Sequence, residues 1–174
     1  MLIDTPLDGK MRISQMPRKR ESGFTLIEVM IVIAVLTIMA SIAVPNFMSL
    51  LPGMRLNGAA RQVMGDLMAA RMNAVKENNE FKVFYLNNYQ YRILDDDDND
   101  GNVDGGEWTV IKDIRDNYTD NVRFYHSTNN VIFYPRGNAS PATLYLETSD
   151  SSKKSAVVVN FPGRTKITSD AYTP

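Results

Sequence analysis

The sequence has 174 residues, of which 44% are hydrophobic and 22% charged, so it suits one globular domain and is too short for two sizeable cores. It has no cysteine and a single histidine, His126, which excludes disulfides, thiolate metal sites, cysteine nucleophiles and multi-histidine zinc sites. With so few groups for catalysis, we expect the chain not to be an enzyme. The formal net charge of −1 is an average over three dissimilar blocks.

The first block is a basic leader followed by an apolar stretch. Residues 1–23 contain five basic and three acidic residues, and residues 24–44 contain one charge, Glu28. As a helix the apolar stretch would span about 32 Å, close to the bilayer hydrocarbon thickness of about 30 Å. Because basic residues precede it, we predict a membrane span with a cytoplasmic N-terminus and a translocated C-terminal part. An ordinary secretory signal is the alternative, but its apolar core would be shorter and would precede a small-residue cleavage site.

Glu28 needs an explanation, because an ionised carboxylate among lipid chains costs about 3 kcal/mol. In one interpretation it lies close enough to the end of the span for its side chain to reach the interface. In the other it pairs with a positive charge buried in an assembly, which removes the desolvation penalty of both groups at once.

Residues 23–29, GFTLIEV, resemble the class III signal of type IV prepilins and type II secretion pseudopilins. The resemblance implies that a prepilin peptidase cleaves after Gly23 and N-methylates Phe24, and that Glu28 neutralises the N-terminus of an adjacent subunit in a filament. It also implies a single-pass protein of the bacterial inner membrane, with its head in the periplasm or in an extracellular pilus. Leaders of this family are short, which favours Met16 as the translation start, with residues 1–15 outside the protein.

An amphipathic helix is predicted to continue from the span over residues 45–79. Pro45 removes one helical hydrogen bond, so we expect a kink or local unwinding there. Beyond it, apolar residues recur at alternating spacings of four and three, which is the period of one helix face. This face should pack on a globular head. It consists of Leu56, Ala60, Val63, Leu67, Ala70 and Ala74.

The C-terminal block, residues 80–174, alternates short β-branched and aromatic runs with Asn, Gly, Asp and Pro. This pattern predicts strands joined by turns. The predicted fold class is therefore α+β: a long N-terminal helix, half transmembrane and half amphipathic, packed on an antiparallel β-sheet head. The predicted strands are Phe81–Leu86, Tyr89–Leu94, Trp108–Ile114, Val122–His126, Val131–Tyr134, Thr143–Glu147, Ala156–Phe161 and Thr165–Thr168.

Three further segments resemble the GspH/FimT class of minor pilins and pseudopilins. They are residues 67–78, residues 133–137 (FYPRG) and residues 161–164 (FPGR), with Gly137 and Gly163 at predicted turns where glycine supplies a positive φ. The resemblance implies a type IV pilin-like fold and a low-abundance subunit near a filament tip or in its initiating complex. The leading hypothesis is a structural, assembly-initiating subunit, with other pilins as partners, of a type II secretion pseudopilus or a type IV pilus.

The acidic loop, residues 95–107, carries seven carboxylates and no basic residue. Its spacing matches the twelve-position calcium loop, in which alternating oxygen ligands point to one centre and a final Glu closes the site. The predicted flanks are strands, not the helices of an EF-hand, so we expect a calcium-clamped β connection. A solvated loop without metal is the alternative, although its carboxylates would repel one another. The predicted ligands are Asp96, Asp98, Asp100, Asn102 by its carbonyl, Asp104 through water, and Glu107, with Gly101 at the sharp turn.

The alternative function is DNA binding at a pilus tip, as in FimT-like minor pilins of natural transformation. Without the acidic loop, the chain after residue 23 is mildly basic, and four basic residues near the C-terminus are candidate phosphate contacts. Against this alternative, the set is small and the sequence places no obvious aromatic platform beside it. The candidates are Lys153, Lys154, Arg164 and Lys166.

Overall fold

The helix and the strands follow the predicted order along the chain. The computed structural model describes residues 23–98, 100 and 102–169, so the predicted leader up to residue 22 lies outside the described residues. All eight predicted strands are present, with ends within two residues of those predicted. The elements are α1 (Leu26–Glu77), β1 (Glu80–Tyr85), β2 (Gln90–Asp96), β3 (Thr109–Asp113), α2 (Arg115–Tyr118), a 3-10 turn (Thr119–Asn121), β4 (Val122–Ser127), β5 (Val131–Phe133), β6 (Ala142–Thr148), β7 (Lys154–Val159) and β8 (Thr165–Ser169).

The chain divides into two units, one up to Ile42 and one from Ala43 onward. In the first unit the side chains of the helix are exposed and almost all apolar. Among the described residues, α1 is the one helix long and apolar enough, by length and composition, to cross a membrane. Thr25 caps its start, because the Thr25 hydroxyl accepts a hydrogen bond from the Glu28 N–H at 3.3 Å.

In the second unit, the amphipathic part of α1 packs on the head as predicted. The backbone stays helical through Pro45 and Pro52, so the local unwinding expected at Pro45 is not seen; a proline removes one hydrogen bond and leaves those of the flanking turns intact. The six predicted core residues are all buried, and Ala59 joins them. Gly58 permits a close contact, since a Cβ there would lie 2.8 Å from the Tyr118 ring.

The head is antiparallel β as predicted, and its eight strands form two four-stranded sheets. Their strand orders are β3-β2-β1-β5 and β4-β6-β7-β8. The chain passes from the first sheet to the second through α2 and the 3-10 turn between β3 and β4, and β5 then returns to pair with β1. Ile114 before α2 and Val122 after the 3-10 turn are both fully buried, so this connection is anchored in the core at each end.

Aromatic rings join the two sheets in the core. Tyr85 and Tyr91 of the first sheet meet the Phe124 ring of the second edge-on, with centroids 5.6 and 5.8 Å apart. The Tyr91 hydroxyl donates to the Asp66 carboxylate of α1 at 2.5 Å. Burial, and then this hydrogen bond, raise the pKa of Tyr91 above its usual range. The helix and both sheets therefore share one core.

Candidate functional site

The predicted processing residues lie just ahead of α1. Gly23 and Phe24 are exposed and lie outside the helix. Glu28 is exposed in the first turn, where its backbone N–H bonds to the Thr25 hydroxyl. A Thr followed three residues later by a Glu is also the sequence pattern of a capping box. The capping role of Thr25 was missed in the sequence, although this spacing could have revealed it.

The acidic loop joins β2 to β3, so its flanks are strands as predicted. Its base is closed by a hydrogen bond from the Asp95 N–H to the Trp108 carbonyl, at 2.9 Å. The Glu107 carboxylate spans the loop, because it accepts from the N–H of Asp104 at 2.9 Å and from that of Asp97 at 3.3 Å. Glu107 therefore holds both arms of the loop from its closing position.

The five predicted carboxylate ligands fall into two groups that share Asp98. In each group, one oxygen per residue lies within 4.8 Å of the others. The Asp100 carboxylate accepts from the Asn102 N–H at 2.6 Å and from the Asn102 side-chain amide at 2.7 Å. These hydrogen bonds lower the pKa of Asp100. Asn99 and the predicted turn residue Gly101 lie outside the described residues. The groups are Asp96, Asp98 and Glu107, and Asp98, Asp100 and Asp104.

Lys82 is a cation beside the loop that sequence reasoning missed. Asp96 is fully buried at the end of β2, and the Lys82 ammonium, also buried, forms an ion pair with it. Glu80 lies 3.6 Å from the same ammonium. Burial lowers the pKa of Lys82, but the two carboxylates outweigh this effect and raise it overall. The lysine sits between two apolar residues of β1, and only the strand register brings it to Asp96.

Asn79, just after α1, anchors the two loop carboxylates that lie outside the predicted ligand set. Its side-chain amide donates to Asp95 at 3.3 Å and also to Asp97. Burial and the charge of Asp97 raise the pKa of Asp95. The loop is therefore tied to the head by Asn79 and Lys82, while its outer carboxylates at residues 97, 98, 100 and 104 are exposed.

The four candidate DNA-binding residues do not form one patch. A Cβ at Gly53 would lie 2.9 Å from the Lys153 ammonium, whereas Arg164 lines a cleft with Met68 of α1. These two points on α1 are about 22 Å apart at 1.5 Å per residue. Lys154 packs over the Tyr125 ring at 4.9 Å, and Lys166 is exposed on β8.

An aromatic group does lie beside Lys154, contrary to the sequence-based expectation. The Tyr125 and Tyr145 rings are 5.6 Å apart, and the His126 ring lies 5.6 Å from Tyr145. The residues come from β4, β6 and β7, so strand pairing brings them together. Lys154 covers the Tyr125 ring, which limits that ring's use as a stacking surface for a base.

Arg71 joins two turns of the head to α1. Its Nε donates to the Gly137 carbonyl at 2.7 Å and its Nη2 to the Pro162 carbonyl at 3.4 Å. Gly137 and Gly163 have the predicted positive φ, +79° and +77°. A Cβ at Gly163 would lie 2.3 Å from the Gly137 carbonyl oxygen. The three segments that resemble the GspH/FimT class therefore meet where Arg71 binds the two carbonyls, and we call this arrangement the Arg71 clamp.

Comparisons with known sequences agree with these features. Residues 59–163 match the family described as type II transport protein GspH, and residues 18–44 match the prokaryotic N-terminal methylation motif. The type II secretion system core protein G of Aeromonas hydrophila is 36% identical over 76 residues, which make up 44% of this chain and 46% of that protein. The chain thus spans about half the length of this curated relative.

Two solved structures are similar to this chain in fold. The minor pseudopilin EpsH of the type 2 secretion system of Vibrio cholerae aligns with a TM-score of 0.53 at 11% identity, over 68% of this chain and 99% of that one. The type IV minor pilin FimU of Pseudomonas aeruginosa aligns with a TM-score of 0.50 at 13% identity, over 68% and 97% of the two chains. At such identities the likeness concerns the fold alone.

A long N-terminal helix that begins within a methylation motif and packs through its second half on antiparallel sheets defines the type IV pilin-like class of proteins. Because the GspH match covers more than half of the sequence, the chain belongs to the GspH family of type II transport proteins. This membership assigns it to the pilin-like proteins of type II transport. Such proteins are structural subunits and not enzymes. The DNA-binding hypothesis gains no support from these relatives.

Proposed function

We propose that the chain is a minor, assembly-initiating subunit of a type II secretion pseudopilus or a type IV pilus. Residues 24–44 anchor it in the bacterial inner membrane, and its head lies in the periplasm or in an extracellular pilus. The observation that carries the proposal is the order of three features in one chain. The methylation motif begins first, at residue 18; the apolar helix begins within it, at Leu26; and the match to the GspH family begins last, at residue 59.

Processing is proposed to occur at the peptide bond between Gly23 and Phe24. A prepilin peptidase hydrolyses this bond, and the new amino group of Phe24 then receives a methyl group. The bond lies ahead of the first helical residue, and the Phe24 side chain is 80% exposed. A peptidase can therefore reach the bond without unwinding α1.

Glu28 supplies the charge for contact between subunits in this proposal. Its carboxylate faces the methylated amino terminus of a neighbour, and each charge removes the desolvation penalty of the other. In the isolated subunit the carboxylate stands in the first turn of α1, where the positive end of the helix dipole stabilises an anion. In this proposal the helix dipole stabilises the Glu28 carboxylate before assembly, and the amino terminus of a neighbouring subunit pairs with it afterwards.

A substitution at Glu28 separates processing from assembly. The chain is produced together with its prepilin peptidase and partner pilins, and sheared filaments are probed for it. We expect Glu28→Gln to be cleaved normally and to be lost from the filament fraction. Glu77→Gln removes a carboxylate from the other end of α1 and should be incorporated like the unmodified chain. Normal incorporation of Glu28→Gln would overturn the role given to this carboxylate.

We also propose that the acidic loop binds calcium and clamps β2 to β3. All of its donors are oxygens, the preferred ligands of calcium, and their two groups share Asp98. Asp96 is already held in place by Lys82, so one ligand is preorganised at the base of the loop. A bound cation would neutralise the outer carboxylates, which have no basic residue among them in the loop sequence.

Terbium luminescence tests the proposed metal site directly. Trp108, the single tryptophan of the chain, follows Glu107 and can transfer excitation energy to Tb³⁺ in the loop. We expect sensitised emission that calcium displaces and that Asp98→Asn abolishes, while Asp116→Asn, outside the loop, leaves it unchanged. Emission that is insensitive to calcium, or equal in Asp98→Asn, would refute the site.

A further inference from the structure

A small cleft of 240 Å³ lies between the end of α1 and the base of the acidic loop. It is smaller than the usual ligand pocket of about 300 Å³ or more, so it suits the end of a single side chain. Two of its lining residues, Asn73 and Glu77, are one helical turn apart on α1. The other three come from β1, β2 and the position before β3, and they are Phe81, Asp95 and Trp108. The cleft therefore combines carboxylates with aromatic rings.

Trp108 forms the exposed wall of this cleft. Its side chain is 53% exposed, whereas the Phe81 ring is buried. The Trp108 carbonyl accepts a hydrogen bond from the Asp95 N–H at 2.9 Å, which fixes the backbone of the tryptophan beside that aspartate. Tryptophan is enriched among the residues that dominate binding between proteins. Because the face of an indole attracts a cation, most often an arginine guanidinium, this wall suits a cationic partner.

Asp95 supplies a negative charge that the proposed calcium site does not use. It lies outside the predicted ligand set, and the neutral Asn79 amide donates to it at 3.3 Å. None of the described residues that line the cleft is basic. Glu77, by contrast, already pairs with Lys76 at 3.1 Å on the surface, and such exposed pairs contribute little to binding or stability. The carboxylate that a cation would meet in the cleft is therefore that of Asp95.

We propose that the cleft binds an arginine side chain of a different pilin subunit. The guanidinium stacks on the Trp108 indole and donates to the Asp95 carboxylate, while the side-chain carbonyl of Asn73 accepts from it. Arginine fits better than lysine, because its planar group can stack and donate at the same time. The neighbours of a minor subunit are subunits of other kinds, so the partner is not a second copy of this chain. This inference rests on the proposed function and adds to it a contact between the head and a neighbour.

The first test uses the head fragment, residues 53–174, in which Trp108 is the single tryptophan. Every described hydrophobic residue that is buried lies between Leu56 and Val159, so the fragment keeps this core. Calcium is present throughout, so that the carboxylates assigned to the metal are occupied. The probe is N-acetyl-L-argininamide, and its neutral isostere N-acetyl-L-citrullinamide is the control, both at constant ionic strength. We expect a saturable change in Trp108 emission with the arginine compound and none with the citrulline compound.

Variants show whether the arginine compound binds in this cleft. Asp95→Asn should weaken its binding by about tenfold or more, because a hydrogen bond to a charged group is lost. Glu77→Gln removes a carboxylate that is already paired with Lys76 and should change the binding less than about twofold. Circular dichroism checks that both variants fold. Equal responses to the arginine and citrulline compounds, or undiminished binding in Asp95→Asn, would overturn the proposal.

Photo-cross-linking in sheared filaments identifies the protein that supplies the arginine. The full chain is produced with its partner pilins, and p-benzoylphenylalanine replaces Glu77 in the lining of the cleft. We expect a cross-link to a different pilin, next to an arginine, that Asp95→Asn reduces severalfold; the same group in place of Arg61, exposed on α1, should not give this product. The contact is refuted by the absence of a cross-link, by one to a second copy of this chain, or by one that Asp95→Asn leaves unchanged. The Glu28→Gln result would be unaffected, so failure of this contact and failure of the proposed function can be told apart.

Discussion

The acidic loop and the Arg71 clamp hold irregular backbone in opposite ways. At the clamp, one guanidinium of the chain itself donates to two turn carbonyls, and two glycines let the turns approach closely. In the loop, seven carboxylates share one short segment. Lys82 pairs with Asp96 at its base, and its outer carboxylates are exposed. The clamp carries its own cation, while the proposed loop structure depends on a cation from solution.

This difference predicts that the stability of the clamp and that of the loop respond differently to substitution and to metal. A change at the clamp should act through steric fit and hydrogen bonding, and the concentration of metal should not matter. A change in the loop should act through charge, and its effect should depend on calcium. Substitution and chelation can separate the two behaviours in the same head fragment, residues 53–174.

The largest effect is expected from Gly163→Ala at the clamp. A Cβ would lie 2.3 Å from the Gly137 carbonyl oxygen, and the residue has a φ of +77°. Strain and overpacking together should lower the free energy of unfolding by about 4 kcal/mol, with or without calcium. Gly65→Ala is the matched control, because nothing lies within 4 Å of its added Cβ, and it should stabilise α1 by about 1 kcal/mol. Equal melting temperatures for the two variants would contradict the close packing.

Removal of calcium should give the next largest effect. A ligand present at about 100 times its Kd stabilises the folded state by about 2.7 kcal/mol, so a chelator should lower the Tm of the head fragment by the corresponding amount. Asp98→Asn should already have the lower Tm and should no longer respond to the chelator. If chelation leaves the Tm of the unmodified fragment unchanged, the loop does not need a metal, and the contrast drawn here between the loop and the Arg71 clamp is wrong.

Arg71→Lys should destabilise the clamp by about 2 kcal/mol, because hydrogen bonds from a charged donor contribute about 1.5 to 3 kcal/mol. Lysine keeps the positive charge but cannot reproduce the planar donor geometry that serves both carbonyls. Arg61→Lys on the exposed face of α1 is the control and should change the stability little. Urea unfolding of both variants measures the difference, and a similar midpoint for the two would show that the charge alone matters at residue 71.

The smallest effect is expected at Asp113, an anion that the chain neutralises itself. Hydrogen bonds from Arg115 lower the pKa of Asp113 to about 2. The folded pKa is below the unfolded value of about 3.9, so this group stabilises the fold above pH 4 or so and loses that contribution as the pH falls towards 2. Asp113→Asn should therefore show a smaller fall in Tm between these pH values than the unmodified fragment. An identical fall in both would contradict the assignment.

Local patterns predicted most of the elements. The alternating spacing of α1 identified its core face, and β-branched runs identified the eight strands. The helix Arg115–Tyr118 was missed, because four residues show no helical period. The two sheets were missed because their pairing is non-local: β5 pairs with β1, and β4 with β6.

The same limit applies to the candidate sites. The grouping of the loop carboxylates was predictable because all seven lie within thirteen residues of the sequence, while their role as calcium ligands stays a prediction. Arg71 contacts residues 66 and 91 positions away in the sequence, and nothing local indicates which carbonyls it reaches. Lys82 likewise meets Asp96 only through the register of β1 and β2. Contacts between residues so far apart in the sequence can be identified only once the fold is known.

The most direct test of the proposed function is the intact mass of the chain recovered from sheared filaments. The proposal predicts a subunit that begins at Phe24 and carries one additional methyl group on its amino terminus. It also predicts that this species is present in the filament fraction together with other pilins. Filaments that form without the chain, while it remains in the membrane with residues up to Gly23 attached, would contradict the proposal.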